Sequence, residues 1–381
     1  MSFHKIIDTY RDFDFKAFLS SVTPRKIESV LAKDNPSDLD FLALLSEAAK
    51  DYLEPMARKA RALTRRHFGN SMLIFTPLYI SNICDNLCPY CSFARHRRID
   101  RRHLSFDEIR RESVAIAQTG IRHILVLTGE SRRLAGPEYL AESIRIVKNE
   151  FSTVGLEVYP LTEEEYAGCA RAGADALTLY QETYDEAAYA ALHKGGPKQD
   201  YLFRLDAPER ACQAGMRAVT VGALMGLACS DSEVFFTGMH ARYLQKNHPG
   251  VEVSVSFPRI RPLSGDFAPP CPVSDPRFVQ ALLAMRLFLP FAGITVSTRE
   301  SRRLRDNVMP LGVTKMSAGV STAVGGHLAA PSTAQFEIAD TRSVEELKRD
   351  LVARGFQPVM HDWNFRYVGT SRMDEAALRA D

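Results

Sequence analysis

The chain has 381 residues, 45% of them hydrophobic and 25% charged, with 48 Lys and Arg against 46 Asp and Glu. That length suits one large α/β barrel with extensions or two modest domains, and the near balance of charge speaks against a nucleic-acid protein that works by neutralising phosphates. No apolar run approaches the ~20 residues needed to span a bilayer, so neither a nucleic-acid nor a membrane partner is expected.

Residues 1–70 read as a helical extension. Charge alternates with aromatic and aliphatic residues at the start, which fits neither a signal peptide nor an anchor. The stretch "SDLDFLALLSEAAKDYLEPMARKARALTRRHFG" then carries apolar residues at helical spacing, interrupted by Pro55. From residue 71 the character changes. Eight β-like runs follow, "LIFTPLYIS", "RHILVLTGE", "GLEVYPL", "DALTLYQET", "RAVTVGALMG", "VEVSVSFPRIRP", "GITVSTRE" and "VTKMSAG", with helical segments between them. Four of the helical segments open on a capping-box pattern, at Ser105/Glu108, Thr162/Glu165, Ser230/Glu233 and Ser343/Glu346. Strand–helix alternation repeated eight times predicts an α/β fold, a (β/α)8 TIM-type barrel over residues 71–325. Residues 326–381 are then expected to form a C-terminal extension packed on the barrel.

Barrels of this kind carry their chemistry at the C-terminal ends of the strands, and here polar or unusual residues gather there. Three cysteines follow the first run, Gly129 and Glu130 the second, Gln181 and Glu182 the fourth and Gly226 the fifth. Arg259 and Arg261 follow the sixth run, Arg299 and Glu300 the seventh, and Ser317 the eighth. The pattern predicts a buried site for a polar ligand.

The cysteines lie in "NICDNLCPYCSF" as Cys84, Cys88 and Cys91, while Cys169, Cys212, Cys229 and Cys271 are scattered singly and read as core fillers. This is no disulfide framework, and a reducing, cytoplasmic location is expected. A zinc site would need a fourth ligand such as His96 or His103, and Asp85, Asn86 and Pro89 between the thiols are loop residues rather than core. Cys-x3-Cys-x2-Cys favours an iron–sulfur cluster with one iron open to a substrate. The basic run "RHRRIDRRH" follows directly. It reads as a solvated loop or as a surface where Arg97, Arg98, Arg101 and Arg102 meet an electron donor. His123 falls within a strand and reads as a satisfied core residue; His361 has no evident partner.

The cysteine spacing, with Tyr90 just before the last thiol, resembles the signature of the radical S-adenosylmethionine (SAM) enzymes. The resemblance implies a [4Fe-4S] cluster on Cys84, Cys88 and Cys91, whose open iron is chelated by SAM. "LTGE" resembles the family's second-strand motif. It implies that backbone carbonyls around Gly129 receive the methionine amino group, with Glu130 and Glu182 orienting that amino group or the ribose. "VGALMGL" resembles the adenine-contacting segment at Gly222 and Gly226.

Over about residues 40–365 the text is similar to one branch, the tyrosine lyases of thiamine thiazole biosynthesis. The shared runs include "PLYISNICDNLCPYCSF", "YQETYDEAAY", "SVSFPRIRP", "VSTRES", "QFEIADTRS" and "PVMHDWN". This implies cleavage of the Cα–Cβ bond of L-tyrosine to 2-iminoacetate and p-cresol. Flavodoxin or ferredoxin is the implied electron donor and thiazole synthase the implied partner. Arg299 is the expected holder of the substrate carboxylate, with help from Tyr79 and Ser317, since a guanidinium fork matches a carboxylate; the competing reading is a salt bridge to Glu300. Arg259 or Arg261 is expected either at the SAM carboxylate or paired with Glu182. Three alternatives stand beside this reading. A tryptophan lyase is one, and the tyrosine lyase of hydrogenase maturation is another, although no cysteine follows Cys271 to hold that enzyme's second cluster. A zinc- or cluster-binding scaffold without catalysis is the third.

Overall fold

A computed structural model describes residues 2–228, 230–261, 267–328 and 333–360, the side chains of Ser230 and Asp231 excepted. Nine strands form one sheet: β1 (Ser71–Ser81), β2 (His123–Thr128), β3 (Thr153–Glu157), β4 (Ala176–Glu182), β5 (Ala218–Ala223), β6 (Glu252–Val255), β7 (Gly293–Val296), β8 (Lys315–Ser317) and β9 (Gln357–Val359). The order runs β2 through β8 to β1, and β1 pairs with β2 to close an eight-stranded parallel barrel. Every neighbouring pair is parallel, as strand–helix alternation requires. All eight strands expected from sequence are present, though the sixth is only four residues long. The ninth strand was not anticipated. It is three residues long and pairs in parallel with the N-terminal end of β1 at Ser71–Leu73, stitching the C-terminal extension to the barrel.

Three of the four capping boxes form as written, at Ser105/Glu108, Thr162/Glu165 and Ser343/Glu346. At the fourth, the Ser230 side chain lies outside the described residues, and Glu233 takes up the hydroxyl of Thr183 and the amide of Tyr184.

The N-terminal helices pack against the outer helices of the barrel. Phe3 stacks on His240 at 4.2 Å, and Phe41 stacks on Phe288 at 4.3 Å. Asp40, buried at the start of its helix, accepts from Lys26 at 2.7 Å and Lys33 at 2.6 Å. On the other flank, Asp340 and Arg342 of "QFEIADTRS" are buried with Arg305. Arg305 and Arg342 both bond Asp340, and Arg342 reaches on to Asp306 and Asp350. Removing one member of such a buried ionic network costs about 3–5 kcal/mol, so the segment just before it, Gln335 and Phe336, is held firmly across the barrel mouth.

The barrel interior departs from the usual filling of branched apolar side chains. Gly155 of β3, Thr178 of β4, Thr220 of β5, Ser254 of β6 and Gly293 of β7 line internal space instead. Small and hydroxyl-bearing residues on the inward parity of five strands leave the barrel hollow.

Candidate active site

Two chambers occupy the barrel at the C-terminal ends of its strands. The upper one, about 1080 Å³ counting its open mouth, is lined by Cys84, Cys88, Cys91 and Tyr90, by Gly129 and Glu130, and by Glu182. The lower one, about 660 Å³, lies between strand interiors and is lined by Phe75, Leu125, Thr178, Thr220 and Lys315 among others. Tyr79, Leu127, Glu157, Tyr180, Arg299 and Phe336 belong to both walls and form a waist.

The cysteine loop leaves β1 at an irregularity in the β1–β2 ladder between Tyr79 and Ser81, a device that re-aims the chain at a barrel rim. The loop is then tied by guanidinium groups. Arg101 donates to the carbonyls of Asn82 at 2.8 Å, Phe93 at 2.7 Å and Ala94 at 2.7 Å. Arg97 donates to Pro89 at 2.6 Å and Cys91 at 3.1 Å, and Arg102 donates to Val324 at 3.1 Å and pairs with Glu108. The basic run is therefore divided: these three arginines are internal stitches, while Arg95, His96 and Arg98 are exposed. Asn86 completes the loop, donating to Glu130 at 2.6 Å and accepting from the Lys198 amide at 2.9 Å.

Gly129 is required by close approach. A Cβ there would lie 2.4 Å from the Ile83 carbonyl oxygen and 3.2 Å from Cys84 Cβ. Burial pushes the Cys88 thiol up to about 12 and raises Cys91; neighbouring thiols push the same way and Lys198 pulls against them. Buried Cys88 and the partly buried Cys84 and Cys91 face one chamber, and a buried thiol is a poor thiolate by itself and a good one beside a cationic metal centre. Among the described residues no three His, Cys, Asp or Glu side chains converge on a single metal ion; three cysteines on one chamber wall are the donor set that an iron–sulfur cluster takes. The scattered cysteines divide. Cys169 and Cys212 are buried, Cys271 is only partly so, and Cys229 lies outside the described residues.

Glu182 is the one non-glycine residue with positive φ among the described residues, at 73°, a sparsely populated conformation that clusters at functional sites. Its partners are Lys198 at 2.6 Å and Arg204 at 3.3 Å. Burial alone would raise the carboxyl, but these two cations outweigh it and the pKa falls. Lys198 also lies over the Tyr90 ring at 5.6 Å. The Tyr90 hydroxyl meets His193 Nε2 at 2.6 Å, while His193 Nδ1 meets the Tyr189 carbonyl at 2.8 Å.

Several expectations are corrected. Arg259 does not pair with Glu182 and does not line either chamber; it bonds Glu300, Asp275 and the Val273 carbonyl. Arg261 also bonds Glu300, at 3.0 Å, and it does reach the upper wall. Gly222 and Gly226 line neither chamber. A Cβ on Gly222 would strike the Ser256 carbonyl oxygen at 1.6 Å, and Gly226 has φ 110° beside Pro269. Leu224, between them, is the residue of that segment on the upper wall. Gln181 turns away to the Tyr201 carbonyl. His123 is buried, but only Nε2 has a partner, Lys315 Nζ at 3.1 Å. His361 lies outside the described residues.

The residues expected to hold the substrate, Arg299, Tyr79 and Ser317, all line the lower chamber. Arg299 makes no salt bridge to Glu300, whose partners are Arg259 and Arg261. Its guanidinium instead lies 3.4 Å from the centre of the Phe336 ring. The Tyr79 hydroxyl donates to Gln335 at 2.8 Å. Ser317 Oγ accepts from the Thr298 amide at 3.0 Å, which leaves its own proton for the chamber. Across the waist stands Glu157, which the sequence reading passed over. Burial raises its carboxyl to about 7 despite the opposing pull of Arg299. Its signal was a lone carboxylate at inward parity in "GLEVYPL". Lys198, Arg204, Gln335 and Phe336 were missed as well. They reach the site from outside the strands, and nothing in their local sequence marks that contact.

Residues 78–234 match the family model "Radical SAM superfamily" and residues 256–357 match "Biotin and Thiamin Synthesis associated domain". The chain is 39% identical over 355 residues to the 2-iminoacetate synthase of Salmonella typhimurium, across 92% of this chain and 94% of that protein. It is also 39% identical over 360 residues to that of Escherichia coli K12, across 93% and 95%. Among solved structures, the FeFe-hydrogenase maturase HydG from Carboxydothermus hydrogenoformans superposes with a TM-score of 0.86 at 30% identity, covering 96% of this chain and 87% of that one. Methylornithine synthase (PylB) superposes at 0.72 with 22% identity, a likeness of fold.

Proposed function

The chain belongs to the 2-iminoacetate synthases of the radical SAM superfamily, and from that membership and the paired chambers we infer that it cleaves the Cα–Cβ bond of L-tyrosine to 2-iminoacetate and p-cresol. The observation that carries the reading is the waist, where Arg299, Tyr79 and Glu157 stand between a three-thiol chamber and a second one inside the barrel.

Cys84, Cys88 and Cys91 would hold the cluster, which with SAM bound would supply the radical chemistry of the cleavage. The chain's own groups do the remaining work. Arg299, held on Phe336, presents its fork to the substrate carboxylate, Ser317 adds its hydroxyl proton, and Tyr79 stands beside them with its hydroxyl tied to Gln335. Glu157 on the opposite side accepts from the α-amino group, so the zwitterion is gripped at both charges and its bonds are oriented before reaction. The ring descends between Phe75 and Leu125. In the upper chamber Glu182, braced by Lys198 and Arg204, suits ribose hydroxyls or the methionine amino group. Glu130 and the carbonyl at Gly129 face the same space, as does Tyr90, while Arg261 rather than Arg259 is the arginine available to the SAM carboxylate.

Free thiols at all six described cysteines suit a reducing cytoplasm, and no described helix is long and apolar enough to cross a membrane. Flavodoxin or ferredoxin fits as donor, and hand-over of the hydrolysable product to thiazole synthase fits its chemistry. Anaerobic turnover of the reconstituted chain with tyrosine and SAM should yield p-cresol, 5′-deoxyadenosine and glyoxylate. Cleavage of tryptophan in place of tyrosine, or SAM cleavage that leaves both amino acids intact, overturns the assignment.

A further inference from the structure

Lys315 occupies a position that a barrel core seldom gives to a cation, the inward face of β8 between strand interiors. It pairs in register with Leu73 of β1 and Thr295 of β7, and its ammonium lies 4.9 Å from the centre of the Phe75 ring. One of its protons goes to His123 Nε2 at 3.1 Å. Burial, then Lys315 and Arg217, hold the His123 imidazole well below its ordinary pKa, so this partner is neutral and leaves the positive charge on the lysine. Among the described residues, Arg299 and Lys315 are the two cationic side chains on the lower wall.

Their separation has a meaning for a substrate. Ser317 and Lys315 are two residues apart on one strand and point to the same side. At ~3.3 Å of rise per residue they stand roughly 6.6 Å apart along the strand. That is comparable to the distance from the α-carbon of tyrosine to its phenol oxygen. With the carboxylate at Arg299 and Ser317 and the ring beside Phe75, the phenol oxygen arrives at the level of the Lys315 ammonium.

We propose that Lys315 is the specificity-determining residue of the lower chamber, donating a hydrogen bond to the phenol oxygen of the substrate and favouring its ionisation. This deepens the tyrosine-lyase reading and rests on it. An ammonium donor rewards a para-hydroxyl, whereas phenylalanine leaves the lysine facing a ring edge; indole brings an N–H that is a donor and not an acceptor.

The test is equilibrium binding of amino acids to the cluster-loaded chain without reductant, by calorimetry, with no turnover. The unaltered chain should prefer tyrosine to phenylalanine. Lys315→Met, which keeps length and removes charge, should weaken tyrosine about tenfold or more, the loss expected for a hydrogen bond to a charged group. Phenylalanine affinity should be unchanged. Lys315→Arg should recover part of the preference, and the ultraviolet difference spectrum of bound tyrosine should show more phenolate with Lys315 than with Met. Equal loss of both amino acids in Lys315→Met, or no loss of either, overturns the proposal. Failure of the tyrosine reading itself looks different, because the unaltered chain would then prefer tryptophan or bind none of the three.

Discussion

The upper and lower chambers share a waist but are built by opposite means. The upper wall is made of loops and strand ends, and it is charged. Cys84, Cys88 and Cys91 come from one loop, and Lys198 and Arg204 come from beyond β4 to brace Glu182. The lower wall is made of strand interiors and is mostly neutral, with Thr178, Thr220 and Thr295 among its lining and one lysine at its depth. A loop can be exchanged without disturbing the barrel, so a cofactor common to many reactions can be held by one reusable piece. Strand interiors are fixed by register, and selectivity placed there is rigid. On the proposed function, cofactor is held at the rim and substrate in the shaft.

The sharpest way to separate them is to disable one side. Cys88→Ala should abolish reconstituted iron and the brown chromophore and reduce SAM cleavage to background, while tyrosine still binds by calorimetry. Loss of tyrosine binding as well would show that the chambers act as one. Arg299→Lys should give the converse. Tyrosine affinity should fall by about 10- to 150-fold, corresponding to ~1.5–3 kcal/mol for charge-assisted hydrogen bonds, with SAM binding retained. Equal loss of both ligands would move Arg299 to the cofactor side.

Glu157 allows a finer test through pH. Its carboxyl is raised to about 7 in the ligand-free chain, so it is protonated below that pH and cannot attract an ammonium. Tyrosine affinity should therefore rise as pH passes upward through about 7, and Glu157→Gln should flatten the profile. The sign for stability is opposite. The folded state holds this proton longer than the unfolded state, so stability falls as pH climbs from the ordinary glutamate range to about 7. Melting of Glu157→Gln should lack that decline. The smallest effect belongs to the exposed members of the basic run. Neutralising Arg95 and Arg98 should slow turnover severalfold with a protein electron donor and more weakly at high salt, with no change under dithionite. Equal slowing with both reductants would exclude a docking role.

Much of this architecture was legible because it is periodic or punctuated. The eight β-like runs, the cap at Thr162 and the thiol triplet are local signals whose meaning does not depend on distant residues. Arg299 and Tyr79 were found by motif and do meet at the waist. Glu157 and Lys315 were readable in principle as lone charges on inward-facing strand positions, but "GLEVYPL" and "VTKMSAG" look ordinary until the parity of the strand is known. Arg259 misled because two arginines two positions apart look equivalent in sequence; both bond Glu300, yet only Arg261 reaches the upper wall. Gln335 and Phe336 were beyond reach, since their place over the mouth is set by Asp340 and Arg342 docking on Arg305, an encounter between distant parts of the chain.

The arginine stitches bear on how the protein matures. They join guanidinium protons to main-chain oxygens, and none of those atoms is needed to ligate iron. Many small metallo-domains gain their shape only when the metal arrives. Here the receiving loop holds its form by its own bonds, so a preassembled cluster can be delivered whole to a chain that has already folded, and chelation should bleach the protein without unravelling it.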